Sequence, residues 1–390
     1  MKKLAIITTH PIQYNAPLYA LLQGREKILI RVFYTWGEEA LQNKYDPGFN
    51  KTIEWDIPLL NGYEHVFVKN SASSPGSHHY KGVHNPTLII EIQEWGANAL
   101  LVYGWNFKSH WAAIRFFYKK IPVFFRGDST LLDEKIGVKQ LVRRLVLKYI
   151  YSFIDKALYA GIANKAYFKA VGLEEKHLIF MPHAIDNSRF ATNDKYENEA
   201  VLLKNKLGIE NGALTFLFAG KLDDNKNVAL LINAFIGLNT KAHYLLIVGN
   251  GVKETDLKEM SKHHNNIIFL NFQNQQQMPA IYAAADVFVL PSKSETWGLS
   301  INEAMAAGKP IIASNKIGAT FDLIVNNKNG FIFKSGDVTH LQKTLEHFIN
   351  DLNAVSSMGK ISLEMIQKYS YEKDCEAIET IINNELLDSN

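Results

Sequence analysis

The sequence predicts an α/β chain built as two parallel-sheet domains, and three observations carry that prediction. Short apolar runs alternate with stretches of helical periodicity, the pattern of strands that return through helices into parallel sheets. The alternation runs twice, in two series separated by Pro182 to Glu199, where apolar periodicity lapses and polar residues dominate. At 390 residues, with 47% hydrophobic and 21% charged residues, the chain can fill two cores of ordinary size.

The first series places strands at Leu4–Thr9, Leu29–Tyr34, Ala99–Tyr103, Val123–Phe125, Ala157–Tyr159 and Leu178–Met181. The second places them at Thr215–Ala219, Tyr244–Val248, Ile267–Leu270, Val287–Leu290, Ile311–Ala313 and Phe331–Phe333. Two such series read as two Rossmann-like domains with a cleft between them, divided into residues 1–191 and 192–369. Lys69 to Pro86, rich in Ser, Gly and His, reads as a mobile loop. His78, His79 and His84 within it have no patterned Cys or carboxylate beside them, so no metal site is expected.

Composition narrows the function. No run approaches the roughly 18 apolar residues of a membrane span. The apolar run after Lys2 and Lys3 stops at Thr8 and reads as a first strand, not an export signal. A single cysteine, Cys375, precludes an intrachain disulfide and fits a reducing cytoplasm. A net charge of +3 gives no argument for nucleic acid.

The segment Ala284 to Ser314 carries the most chemistry. Val287 to Leu290 reads as a buried strand, Pro291 to Gly298 as the loop leaving its carboxyl end, and Ile301 to Ala307 as the next helix. Glu295 and Glu303, with seven residues between them, can then face one crevice, with the opening amides of the helix between them to hold an anion. Taken alone, Ser300 and Glu303 also spell a capping box, and Glu295 a solvated loop charge.

This segment resembles, nearly position by position, the E-x7-E region of the family-four retaining glycosyltransferases, which have the two-domain glycosyltransferase B fold. The resemblance implies that Glu295 contacts hydroxyls of a donor sugar and Glu303 the nucleotide ribose, while the backbone of Trp297, Gly298, Leu299 and Ser300 holds sugar and diphosphate. Gly308, Lys309 and Pro310 match the same pattern. In "FAGKLDDNKN", Gly220, Leu222 and Lys226 match the family's diphosphate loop, with Lys221 in place of an arginine. Lysine keeps the charge and gives up the bidentate fork. Preorganised cations of this kind stabilise a leaving diphosphate without metal, and Asp223-Asp224 lacks the spacing of a D-x-D metal motif.

Gly249 resembles the glycine of the family's I-V-G-x-G turn, and Phe272 and Gln273 fall on the loop that reads the nucleotide base. Gly318 matches the first glycine of a later motif in which Ala319 and Asp322 are substitutions. Pro182, Ile185, Asp186 and Phe190 match the family's interdomain stretch, leaving His183 as a departure that could face the cleft. The tail, 370–390, resembles the helix that in this fold crosses back onto the first domain.

The first domain follows the family loosely. His10, Gln13, Tyr14 and Asn15 follow the first strand and are candidate acceptor contacts, although His10-Pro11 would equally serve to turn the chain into its helix. Asp128 stands where many relatives carry a histidine near the donor sugar, and it would either touch sugar or acceptor or pair with Arg126. Lys135 to Ile150 spells a basic amphipathic helix, which would either pack its apolar stripe inward or lie on anionic lipid together with Trp111, Arg115, Phe116, Lys119 and Lys120.

The expectation is a metal-independent, retaining glycosyltransferase without cofactor. It would use a nucleoside diphosphate sugar, a uridine diphosphate sugar ahead of a guanosine one, and a glycan or lipid-linked acceptor for cell-surface polysaccharide. It would be cytoplasmic or peripheral at the inner face of the cytoplasmic membrane. Alternatives are a sugar-nucleotide epimerase on the same fold and a non-catalytic sugar-nucleotide or glycan-binding module.

Overall fold

The computed structural model describes residues 1–38, 44–46, 48–49, 51–134 and 137–387. The chain packs as two units: Met1–Gln42 with Pro58–His183 and Tyr371–Asn390, and Asn43–Ile57 with Ala184–Ser370. The change of unit thus falls at 183/184, against the expected 191/192. Its cause lies in the intervening residues. Asp186 caps the short helix Asn187–Phe190, and Phe190 is buried with its ring 5.7 Å from Tyr282 of the second unit.

Among the described residues, the first unit holds a seven-stranded sheet in the order Glu64–Phe67, Ile28–Tyr34, Lys2–Thr8, Ala99–Tyr103, Val123–Arg126, Lys156–Tyr159, Leu178–Phe180, every pairing parallel. The second holds a six-stranded parallel sheet in the order Ile267–Leu270, Tyr244–Val248, Thr215–Ala219, Val287–Leu290, Ile311–Ser314, Gly330–Phe333. Central strands such as Val287–Leu290 are buried on both faces, which is why they read as unbroken apolar runs. In both sheets the strand order reverses beside the first strand, the place where α/β sheets open a ligand crevice at their carboxyl edge.

All twelve expected strands are present within a residue or two of their expected ends. Glu64–Phe67 was missed because it is an edge strand with its residues partly exposed and lacks a continuous apolar run. Also missed is an antiparallel hairpin, Lys44–Asp46 with Lys51–Ile53, whose sequence is polar. The Ser, Gly and His stretch expected to be mobile is pinned. Asn85 is buried and donates to the carbonyls of Thr35, Val68 and Lys69, and Ser71 N–H donates to His84 O at 2.7 Å.

The last helix, Tyr371–Leu387, belongs to the first unit. It buries Cys375, Ile378, Ile381 and Ile382, and Glu379 accepts hydrogen bonds from Arg25 and Lys27. Residues 388–390 of the expected closing helix, and Lys135 at the start of the expected basic helix, lie outside the described residues. The described basic helix runs Val138–Tyr151.

Candidate functional site

The second unit's candidate residues gather at the carboxyl edge of its sheet. Gly249 ends Tyr244–Val248 with φ +136°, and a Cβ there would stand 2.0 Å from the backbone oxygen of Gly220, which ends the neighbouring strand. Only glycine permits that approach. Gly251 meets Leu222 O in the same way, at 2.4 Å, so the two turns are locked backbone to backbone. The lysine loop springs from this lock. Asp223 Oδ1 accepts from Lys226 N–H at 2.9 Å, and Asp224 pairs with Lys253 at 3.4 Å, so both aspartates serve local structure.

The lysine loop is tied to the loop that leaves Val287–Leu290. Lys293 N–H donates to Asn225 O at 2.7 Å, and the Asn225 side chain donates to Ser294 O at 2.6 Å. Between these bonds Lys226 Nζ and Glu295 Oε1 form an ion pair, and Ser292 Oγ donates to the same Glu295 oxygen at 2.9 Å. Gly318 supports the loop from behind, where a Cβ would stand 2.0 Å from Thr296 O. Lys226 and Glu295, 69 residues apart, thus share one place.

The helix after this loop runs Leu299–Ala306 from Gly298 at φ +100°, with no side-chain cap. The capping box of Ser300 and Glu303 is therefore not formed, because the helix begins a residue before Ser300 and leaves Glu303 in its second turn. Leu299 and Ser300 supply opening amides, which have no acceptor inside a helix. Glu303 is buried, and Tyr282 Oη donates to its Oε2 at 2.7 Å. The Trp297 side chain faces the core, donating from Nε1 to Asn302 Oδ1 at 2.9 Å, so only its backbone remains for a ligand. Lys309 is turned inward too, and burial pushes its ammonium down to about 8.

Phe272 and Gln273 follow Ile267–Leu270. Asn250 Oδ1 accepts from Phe272 N–H at 2.7 Å, which ties this loop to the Gly249 turn. Gln273 borders a 650 Å³ cavity with Arg189, Lys195 and Lys206. Lys221 has a partner that sequence reasoning missed: Asp46 of the hairpin, with both carboxylate oxygens at 3.0 and 3.1 Å from Nζ.

Residues 202–365 match the model of the family described as glycosyl transferases group 1. The chain is 29% identical over 228 residues, 55% of its length, to alpha-monoglucosyldiacylglycerol synthase of Acholeplasma laidlawii. It is 27% identical over 284 residues, 71% of its length, to the capsular polysaccharide biosynthesis glycosyltransferase CapM of Staphylococcus aureus. Over residues 202–365 the chain is similar to the group 1 glycosyltransferases. These matches span 56% and 66% of the two relatives. Anabaena HepE, solved in complex with UDP, superposes with a TM-score of 0.72 over 98% of this chain and 99% of that one, at 17% identity. That likeness shows the fold, the glycosyltransferase B fold.

In the first unit the loop after Lys2–Thr8 holds His10 against Thr9 Oγ1 at 2.8 Å and edge-on to Trp36 at 5.4 Å. His10, Gln13, Tyr14 and Asn15 are half-buried along it. Asn15 then stands at the N-cap of Ala16–Gly24 without a side-chain cap bond. At the end of Val123–Arg126, the Arg126 guanidinium is given to backbone, donating to the carbonyls of Leu158, Met181 and Pro182. Asp128 neighbours His183, whose imidazole burial and Arg126 push down to about 4 against the opposing charge of Asp128.

His110 went unmarked in the sequence. It is fully buried, shares a hydrogen bond with Gly104 O at 2.9 Å through Nδ1 and with Thr35 Oγ1 at 2.8 Å through Nε2, and burial pushes it down to about 4. Its signal was its place on the apolar helical face with Ala113, Ile114 and Phe117. It holds the Gly104 and Thr35 turns at the sheet's carboxyl edge.

Proposed function

We propose that this chain is a glycosyltransferase that moves a sugar from a nucleoside diphosphate sugar, a uridine diphosphate sugar ahead of a guanosine one, to a hydroxyl of a glycan or lipid-linked acceptor, with retention and without metal or cofactor. The observation that carries the reading is the Lys226–Glu295 pair, held between two tied loops beside the opening amides of Leu299 and Ser300. Cation and amides suit a diphosphate, and a carboxylate beside them suits the sugar it carries. The UDP complex of Anabaena HepE, on the same fold, favours uridine.

The acceptor oxygen bonds to the anomeric carbon on the face from which the diphosphate oxygen departs, and the acceptor's proton passes to that diphosphate. Lys226 and Lys221 stabilise the charge that develops on the leaving group. Glu303 reaches the ribose and Glu295 the sugar hydroxyls, while Gly220 and Gly249 let backbone come close to the phosphates. Phe272 and Gln273 lie along the base. Asp128 and the loop of His10, Gln13, Tyr14 and Asn15 serve sugar and acceptor. Incubation with radiolabelled UDP-sugars and lipid or glycan acceptors tests this. Labelled glycoside at retained configuration is expected, whereas an epimerised donor, or binding without turnover, would replace the reading with one of its alternatives.

We place the reaction at an anionic membrane face. Most of the apolar stripe of Val138–Tyr151 does not pack inward: Val138, Leu141, Val142, Leu145, Val146 and Tyr149 are exposed, and Leu147, Ile150 and Tyr151 are buried. Lys139, Arg143, Arg144 and Lys148 interleave with the stripe, and Trp111 beside Tyr149, with Arg115 over its ring at 5.9 Å, extends it. Basic residues around exposed apolar ones fit the headgroup region of anionic lipid. No described helix is long and apolar enough to cross a membrane. Salt-sensitive sedimentation with anionic vesicles is expected, abolished when Lys139, Arg143 and Arg144 are changed together to Glu. Absence of sedimentation at low ionic strength would make a soluble acceptor the better assignment.

A further inference from the structure

The hairpin Lys44–Asp46 with Lys51–Ile53 and the residues after it lie over the proposed donor loops as part of the second unit. Their contacts divide into two sets. Asn274 donates from its side chain to Glu54 O at 2.6 Å, and Gln276 donates from its backbone to Asp56 Oδ2 at 3.1 Å and from its side chain to Asp56 O at 2.5 Å. These bonds anchor one end to the 272–276 loop. At the other end Asp46 grips Lys221 with both carboxylate oxygens, while its Oδ1 also accepts from the amides of Gly48 and Phe49 at 2.7 and 3.1 Å. Burial works against the Asp46 charge, but the bonds from Lys221, Phe49 and Gly48 outweigh it and hold the carboxyl below its ordinary range.

Between the two ends stands an aromatic group. The Phe49 ring lies 4.9 Å from Phe272 and Trp55 lies 6.3 Å from it, both edge-on, and all three are half-buried. Lys51 Nζ sits 5.7 Å from the Phe272 ring, and Lys221 Nζ 5.0 Å from the Phe49 ring. Gly48 lies flush on Lys221, where a Cβ would stand 2.6 Å from its side chain. A cation held by an acid, next to half-exposed aromatic rings, matches the two halves of a nucleoside diphosphate: the phosphates take the cation, and the base takes the rings.

Resting on the donor reading above, we propose that Phe49 and Trp55 of the hairpin form, with Phe272, the wall against which the nucleobase packs, and that Asp46 occupies Lys221 until the diphosphate displaces it. The hairpin then acts in two opposite senses. Its rings favour the nucleotide, and its carboxylate competes with the phosphates for one lysine.

Isothermal titration with UDP and with inorganic pyrophosphate separates these senses, with thermal melting of each variant to confirm that it is folded. Phe49→Ala and Trp55→Ala should each weaken UDP about 10-fold, the size of a lost base–aromatic contact, and leave pyrophosphate unchanged. Asp46→Asn should tighten both ligands about 3-fold, as release of a half-exposed ion pair allows. If the unmodified protein binds UDP and the ring variants bind it equally well, or lose UDP and pyrophosphate alike, the base wall is overturned while the donor reading stands. If Asp46→Asn weakens both ligands, the carboxylate supports the lysine and the competition is overturned. If the unmodified protein binds neither ligand, the donor reading falls and takes this inference with it.

Discussion

The carboxyl edges of the two sheets are held together by different means. In the second unit the turns meet backbone to backbone, with Gly249 on Gly220 and Gly318 on Thr296, at distances no side chain tolerates. In the first unit the same edge is held by side chains: His110 between Gly104 and Thr35, Asn85 on three carbonyls, and Arg126 on three more. A backbone lock demands glycine at fixed spacing and so leaves a motif. A side-chain lock scatters its residues along the chain and leaves none, which is why the edge of the second unit shows a motif and that of the first does not.

The largest test of that contrast is Gly249→Ala. Overpacking against Gly220 O together with a left-handed φ should cost about 3 kcal/mol or more, measured by urea unfolding. A variant within 1 kcal/mol of the parent would show that the turns yield and that the lock is not rigid.

Glu303→Gln and Lys226→Ala should each lower turnover at least about 100-fold with the fold kept, because each removes a charged contact at the proposed transition state. Glu303 has no capping role here, so early melting with normal turnover of Glu303→Gln would remove it from the ribose.

The first unit's lock should be acid-sensitive where the second's is not. The His110 value is depressed from 6.5 to about 4, so as pH falls the unfolded chain takes up the proton first. Stability fully present above about 6.5 is then lost toward 4, with about 2 kcal/mol gone by pH 5. The depressed His183 acts in the same direction. Hydrogen exchange should rise in 99–126 before 215–290 on acidification, and His110→Gln should flatten that response. Simultaneous loss of both regions would mean that the locks do not differ in kind.

The smallest effect expected is at Asp128. Asp128→Asn should lower transfer about 10-fold, as loss of a charged contact to sugar or acceptor allows, while leaving UDP affinity unchanged by titration. Equal loss in both would move Asp128 from sugar to nucleotide.

The sequence by itself determined the two α/β sheets and the glycine turns at the edge of the second, because buried parallel strands need continuous apolar runs and close backbone approaches need glycine, while the grouping of Lys226 with Glu295 came from the family resemblance. Only the tertiary structure decided which groups stand opposite them. It placed Asp46 on Lys221 from 175 residues away, turned Trp297 inward, started the helix at Leu299 so that Ser300 caps nothing, and left the stripe of Val138–Tyr151 largely uncovered. The physical reason is common to all four. Periodicity and turn chemistry act over a few residues and are written locally, whereas an ion pair, a ring contact or the covering of a helix face is settled by distant chain that no local pattern names.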